Sequence, residues 1–371
     1  MATDDDVLLD ASLHTEAKHR LYRFYLDAWL PILLGGRFPR VRIVDGFAGP
    51  GRYTGGQEGS PQVAIRAALE HERLRSVLAG PDRVRLLFIE ADARRARHLE
   101  HELHAFDSAR PAGLRWRVEQ GEFATVWSGA LEAAERTGRL DPTLLFIDAF
   151  GYTGFPMALL TRMQGYRACE LLINFPWDSV DRWAVNVEER HPLLTELYGD
   201  ERWRPGRNVS DAWEREQFFV REYQAALADA GWRGTTFRML NARNQTQYYL
   251  VYGTTNSAGM EAFKSAAWRV SQGGRFEFSD LRNPRQEEFG FMRQVTDAQV
   301  TDDLRSQIEV QFISSTVEKS ALDEFTAWHP MAIGRHLTAA LTQLQEVGAI
   351  LYVDPQRRRG TFPKGSEIRF F

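Results

Sequence analysis

Four acidic residues stand at or just beyond the ends of four apolar, β-prone runs. Asp45 follows Val41 to Val44, Glu90 follows Val84 to Ile89, Glu122 lies beyond Leu114 to Val118, and Asp148 follows Thr143 to Ile147. In an open α/β sheet the carboxyl ends of the strands border one ligand crevice. Carboxylates repeated there can hold the hydroxyls and amines of a nucleotide-like molecule. Asp45 opens the run Asp45-Gly46-Phe47-Ala48-Gly49-Pro50-Gly51, whose glycines allow positive φ and leave no Cβ in the way of a ligand. Glu90 is placed to hold ribose hydroxyls and Glu122 a base edge, although Asp45 and Glu90 lie about twice as far apart as the ~20 residues of the dinucleotide motif. The extra segment containing Ser60 accounts for the difference. Ser60-Pro61 reads as a helix N-cap followed by proline in the first turn, with free amides able to meet an anion.

Asp148-Ala149-Phe150-Gly151 has a different character. Its carboxylate can accept a hydrogen bond from a nucleophile and its ring can stack on a planar substrate; a plain capped strand end is the equal alternative. Asn174-Phe175-Pro176-Trp177, after the apolar run Cys169 to Ile173, resembles a platform for a base, with ordinary packing of Trp177 as the competitor. His98, His101 and His104 recur at spacing three, but His101-Glu102-Leu103-His104 is one residue short of the zinc pattern His-Glu-x-x-His. A solvated helix face is the reading, and no metal is expected. Cys169 is the lone cysteine, which excludes internal disulfides and cysteine-based metal sites.

Composition narrows the class further. The formal net charge of −4 does not announce a nucleic-acid binder, so any basic surface must be local. All but four of the 46 basic residues are arginine, which fits phosphate recognition or, as easily, a genome-wide coding bias. No apolar run approaches the ~20 residues needed to span a membrane. The acidic start MATDDDVLLD lacks signal-peptide features, so a cytoplasmic location is expected.

These residues need a frame. Leu13, Ala17, Leu21, Phe24 and Ala28 recur at helical spacing and predict a helix over 13–34. Lys18-His19 is a basic pair on it, read first as exposed and second as part of the crevice. A helix from Ser60 to about Leu78 and a charged, tryptophan-containing helical insertion over 178–231 follow. Thr235 to Leu240 and Gln247 to Tyr252 read as strands closing the sheet, with a helix over 256–270. The pattern is a doubly wound α/β domain over 1–275. Residues 273–293 read as a polar linker. Beyond it, two helical stretches and two short strands flanking a tip with Arg357, Arg358, Arg359 and Lys364 give the order of a winged helix, so linker and winged-helix-like domain together are set over 276–371. Phosphate contact by that tip is placed modestly ahead of a protein-contact role.

The glycine run resembles the first motif of class I S-adenosylmethionine-dependent methyltransferases, in the Asp-x-Phe-x-Gly form of nucleic-acid enzymes. Lys18-His19, Gly59-Ser60-Pro61, Phe88-Ile89-Glu90, Phe146-Ile147-Asp148-x-Phe150-Gly151 and Leu172-Ile173-Asn174-Phe175 together resemble the three-Cys-motif partner family, over most of residues 14–270. The resemblance implies a Rossmann-like methyltransferase fold and an S-adenosylmethionine site. Asp45, Phe47 and Gly49 would surround its methionine part, Glu90 the ribose and Glu122 the adenine, with Lys18, Gly51 and Ser60 also in the cofactor site. Asp148, Phe150 and Asn174 would form the catalytic group. The Asp-Pro-Pro-Tyr motif of amino-methyltransferases is Asp-Ala-Phe-Gly here, and cytosine carbon-5 chemistry lacks its cysteine. DNA or RNA and a separate three-cysteine protein are the implied partners. A non-catalytic scaffold working with a partner is the alternative to an enzyme.

Overall fold

The computed structural model describes residues 7–9, 12–35, 38–271, 276–280, 296–352, 362–363 and 365–371. Two compact units emerge, one of Met1–Thr255 with Phe278–Leu281, the other of Asn256–Glu277 with Arg282–Phe371.

The first unit begins with α1 (Leu13–Leu34), capped by the Ser12 hydroxyl, which accepts from the Thr15 amide. Then follow β1 (Val41–Asp45), α2 (Ser60–Glu70), α3 (Arg75–Ala79), β2 (Val84–Glu90), α4 (Ala93–Leu103), β3 (Leu114–Gln120), α5 (Phe123–Thr137), β4 (Thr143–Ile147), α6 (Met157–Gln164) and β5 (Glu170–Phe175). The helical insertion is α7 (Trp177–Asn186), α8 (His191–Tyr198) and α9 (Ala212–Asp229), leading to β6 (Arg233–Leu240) and β7 (Thr246–Thr254). After α10 (Ser257–Val270), a short β8 (Glu277–Ser279) joins the sheet, whose order is β3-β2-β1-β4-β5-β7-β6-β8. β1 to β5 pair in parallel, while β7 runs antiparallel to both β5 and β6.

This is the expected doubly wound, Rossmann-like α/β sheet. The order reverses between β1 and β4, so their carboxyl ends open the switch-point crevice. β4 and β5 are buried along their whole length, as strands covered on both faces must be. On one face Val44, Leu87, Ile89, Leu145 and Ile147 pack with Phe123, Trp127 and Leu131 of α5. On the other, Tyr22 of α1 stacks on Phe146 with ring centroids 4.4 Å apart and planes 12° from parallel. Tyr25 donates to the buried Glu170 carboxylate, tying the same helix to β5. Those two tyrosines set the rotation of α1, and that rotation carries Lys18 and His19 inward.

The second unit holds α10, then α11 (Asp297–Phe312), β9 (Thr316–Glu318), α12 (Lys319–Trp328), α13 (Gly334–Glu346), β10 (Ile350–Tyr352) and β11 (Glu367–Phe370). The three strands form a sheet in the order β10-β11-β9, with both pairings antiparallel. No described helix is long and apolar enough to cross a membrane.

Several expectations change. The helix expected over 60–78 breaks at His71, whose extended backbone ends α2. Ser60 is the first residue of α2, and Gly59 is its N-cap. Part of the expected linker is β8; 281–293 lie outside the described residues, as do Arg357, Arg358, Arg359 and Lys364. Lys18 and His19 are buried at 6% and 8% exposure, not surface residues.

Candidate functional site

The glycine run leaves β1 and crosses the crevice. Gly49 has φ 63° and Gly51 φ 86°, so both use the left-handed region that favours glycine. A Cβ at Gly49 would meet nothing within 4 Å, whereas one at Gly51 would lie 2.7 Å from Leu99 Cδ1 and 2.9 Å from Gln62 Nε2. Gly46 serves another end: a Cβ there would sit 2.7 Å from the Phe123 ring. The loop is held from outside. Glu90 Oε2 accepts from the Gly49 amide at 2.8 Å while Oε1 accepts from the Asp92 amide at 2.9 Å. His98 Nδ1 meets the Pro50 carbonyl at 2.8 Å, and the Gly59 amide donates to the Gly51 carbonyl at 2.7 Å.

Under this loop Asp45 is fully buried. Its Oδ1 accepts from the Phe47 amide at 3.2 Å, and its Oδ2 has no partner. Burial pushes its carboxyl up to about 7, the Ser60 hydroxyl opposing and the neighbouring Asp148 adding to the shift. A cavity of about 30 Å³ lies against the loop, lined by Phe47, Gly49, Gly51, Tyr53, Ser60, Asp148 and Phe150 among others.

A second cavity, of about 200 Å³, shares Tyr53, Asp148 and Phe150 with the first and adds His14, Lys18, Asn174 and Tyr248. Asp148 organises it. Its Oδ2 accepts from Lys18 Nζ at 2.5 Å and its Oδ1 from Asn174 Nδ2 at 2.8 Å. Burial alone would raise this carboxyl, but the Lys18 ammonium and the Asn174 amide hold it below the usual carboxylate range. It stays charged. Asn174 Oδ1 is buried without a partner. Lys18 also lies 5.5 Å from the Tyr248 ring centroid, and Tyr248 donates to the His14 carbonyl at 3.1 Å. His19, beside Lys18, has an unpartnered Nε2; burial and the Lys18 charge push it down to about 4, so its ring stays neutral. The arrangement therefore offers an ionised carboxylate and a free amide oxygen to a donor, at the wall of a cavity sized for a planar ring.

Of the residues expected at the site from the sequence, Phe47, Gly49, Gly51, Ser60, Asp148, Phe150 and Asn174 line the two cavities, while Asp45 lies buried beneath the loop and lines neither. Glu90 acts on the loop from behind, through its amide. Lys18 stands with Asp148 and not with the glycine loop. Glu122 is exposed and supplies only backbone to the start of α5. Trp177 packs into the core, its ring 5.9 Å from Phe219, so it is no platform; the exposed Phe150, at 75%, is the free ring. Tyr53, Tyr248 and His14 were missed, since no strand-end pattern marks them. Among the described residues no group of three or more His, Cys, Asp and Glu could hold a metal ion.

No protein-family model matches the sequence, and no curated protein matches it. Among solved structures the chain is similar to an O-methyltransferase from Bacillus cereus in complex with SAH, at 12% identity over 68% of this chain and 95% of that one, with a TM-score of 0.32. It is similar to a precorrin-6y C5,15-methyltransferase from Geobacter metallireducens GS-15 at 11% identity over 69% and 98%, TM-score 0.29. A geranyl diphosphate methyltransferase in complex with GPP and sinefungin matches at 12% identity over 65% and 78%, TM-score 0.27. At these identities and TM-scores the likeness carries no argument about ligand or reaction, which rest on the site.

Proposed function

We propose that this chain is an S-adenosylmethionine-dependent methyltransferase acting on a nucleic acid or nucleobase. The observation that carries the reading is the unpartnered, buried carboxylate oxygen of Asp45 beneath a glycine loop whose Gly49 presents bare backbone at the switch point. That donor and acceptor set suits an amino-acid moiety joined to a nucleoside. Asp45, Phe47, Gly49 and Gly51 would hold the methionine part, with Ser60 beside them, Glu90 the ribose and Glu122 the adenine. The bound group supplies a methyl activated by a sulfonium. The 30 Å³ cavity at the loop is far below the ~300 Å³ of an ordinary ligand pocket. Binding therefore requires the exposed Phe150 and the Arg52–Gly59 segment to give way.

The chain's own work is positioning and charge. Lys18 and Asn174 keep Asp148 ionised and fixed, so it can orient the donor hydrogen of an acceptor amine or hydroxyl and take up its proton. Phe150 stacks on the acceptor ring, and Tyr53 and Tyr248 wall the cavity. Asn174 Oδ1 gives a second acceptor for an exocyclic hydrogen. The α11, β9, α12, α13, β10, β11 order supports a winged helix, with Arg357, Arg358, Arg359 and Lys364 contacting phosphates. The three-Cys-motif partner resemblance adds a separate three-cysteine protein as partner, and the location is cytoplasmic.

Titration calorimetry with S-adenosylmethionine tests the reading: we expect binding by the wild type that weakens in Asp45→Ala and Glu90→Ala, and no wild-type binding sinks it. The small loop cavity favours one rival, a methyltransferase-fold scaffold that binds a partner without turnover. Transfer of labelled methyl groups to DNA or RNA, lost in Asp148→Ala, separates the two; ligand binding without transfer supports the scaffold.

A further inference from the structure

A groove of the first unit lies away from the crevice, on the amino-terminal half of β1 to β3. It encloses about 750 Å³ and is lined by Arg42, Arg85, Arg110, Arg115 and Arg117 with Asp82 as its single acid. Strand register explains the cluster: Arg42 pairs with Arg85, and Arg85 with Arg115, on adjacent parallel strands. Neighbouring strands are ~4.8 Å apart and residues two apart share a face, so Arg42, Arg85 and Arg115 form a row ~10 Å long that Arg117 extends along β3. The helix α5 covers this face only farther along, over Val44, Leu87 and Ile89. The Arg115 and Arg117 side chains are accordingly 66% and 67% exposed.

Each guanidinium has an acid within ion-pair reach, but among the described residues four acids, Asp82, Asp107, Asp141 and Glu119, are shared by Arg40, Arg42, Arg85, Arg110, Arg115 and Arg117. Asp82 is already engaged by Arg40 at 2.6 Å and by Arg85 at 2.8 and 2.5 Å, leaving Arg115 3.6 Å away. Arg42 meets Asp141 at 3.7 Å and Arg117 meets Glu119 at 3.4 Å. Burial pushes the Arg42 guanidinium down, Asp141 offsets part of this, and Arg85, Arg40 and Arg117 add to the downward shift. Arg110 pairs with Asp107 at 3.4 Å, lies over the Trp116 ring at 4.5 Å and closes one side. A protein-wide preference for arginine spreads the residue over the surface; it does not line up guanidinia across three strands.

We propose that this groove binds the phosphate backbone of a nucleic-acid strand. A row of guanidinia spread over three adjacent strands suits a run of phosphates along a strand, and the small-anion arm of the test below separates that from a lone phosphate. Contacts of this kind hold a polymer in register without reading its sequence. The groove is independent of the methyl-transfer reading, since it is separate from the glycine loop and needs no cofactor.

Fluorescence anisotropy with a labelled single-stranded oligonucleotide, without S-adenosylmethionine, tests it. Arg115→Glu/Arg117→Glu alters exposed side chains, so the fold is spared, and a thermal melt checks this. Arg136→Glu/Arg221→Glu, on α5 and α9, matches the charge change elsewhere. We expect the groove variant to bind at least about tenfold more weakly, with the salt slope reduced by about 1.4 for two lost phosphate contacts, and the control to stay within about threefold of wild type. Absence of wild-type binding at low salt, or equal losses in both variants, overturns the proposal. Displacement of the oligonucleotide by inorganic tripolyphosphate at comparable concentration overturns the polymer and assigns the groove to a small anion. Failure of methyl transfer leaves each of these readouts intact.

Discussion

At the residue scale the two aspartates of the crevice, Asp45 buried and Asp148 partly buried, have opposite electrostatics for a definite reason. Asp148 has an ammonium and an amide against it and stays charged; Asp45 has a hydroxyl, a backbone amide and a desolvated oxygen, and its carboxyl rises to about 7. Below that pH Asp45 is protonated and cannot pair with a ligand's ammonium. We therefore expect affinity for S-adenosylmethionine to rise by about tenfold between pH 6 and pH 8, a trend absent in Asp45→Asn, as calorimetry across pH would show. Lys18 divides the roles. If it serves Asp148, Lys18→Met lowers kcat of methyl transfer by about a hundredfold while leaving cofactor affinity within a few-fold. A large loss of cofactor affinity instead returns Lys18 to the glycine-loop side. The aspartates were legible in the sequence as strand-end acids, but their charge states were not, because Lys18 reaches Asp148 from 130 positions away.

At the element scale, the glycine loop separates conformational need from space. Gly51→Ala combines positive φ with contacts to Leu99 and Gln62, and we expect a loss of about 2 kcal/mol or more in urea unfolding. Gly49→Ala meets open space, so about 1 kcal/mol is expected from φ alone, with its larger effect on ligand affinity. Equal stability losses would contradict this division. The helix over 13–34 and the strand at 143–147 were legible because periodicity and apolar runs are local signals. The break at His71 carries no glycine or proline to announce it. β8 hid in a polar stretch, since a three-residue edge strand is defined by its pairing and not by its composition.

At the scale of the molecule, one buried ionisable group in each unit serves as a test of that unit's integrity. In the first, His19 sits at about 4 when folded against 6.5 unfolded, so the unfolded chain binds more protons between those values. Stability falls as pH drops from 6.5 to 4, by on the order of 3 kcal/mol from this group. Asp45, shifted upward, contributes the opposite slope below pH 7. Comparing urea unfolding of wild type and His19→Phe at pH 7 and pH 5 isolates the histidine; identical pH dependence would refute its neutral burial. In the second unit Lys264 is fully buried and donates to the carbonyls of Thr326, Ala327, His329 and Ala332 at 2.5–2.9 Å. It satisfies carbonyls that the end of α12 leaves open. We expect Lys264→Met to cost about 3 kcal/mol or more and to raise hydrogen exchange over 319–346 while leaving β1 to β5 protected.

What the sequence by itself determined is the local grammar: which runs are strands, which acids end them, where glycine frees the backbone, and the absence of cysteine chemistry. These follow from propensity, periodicity and spacing, all short-range along the chain. Only the tertiary structure decided that Lys18 and His19 are buried, that Trp177 is core, that β7 lies between β5 and β6, and that three arginines on separate strands form one row. Each depends on helix rotation or strand register, which burial across the whole sheet sets and no short window of residues encodes.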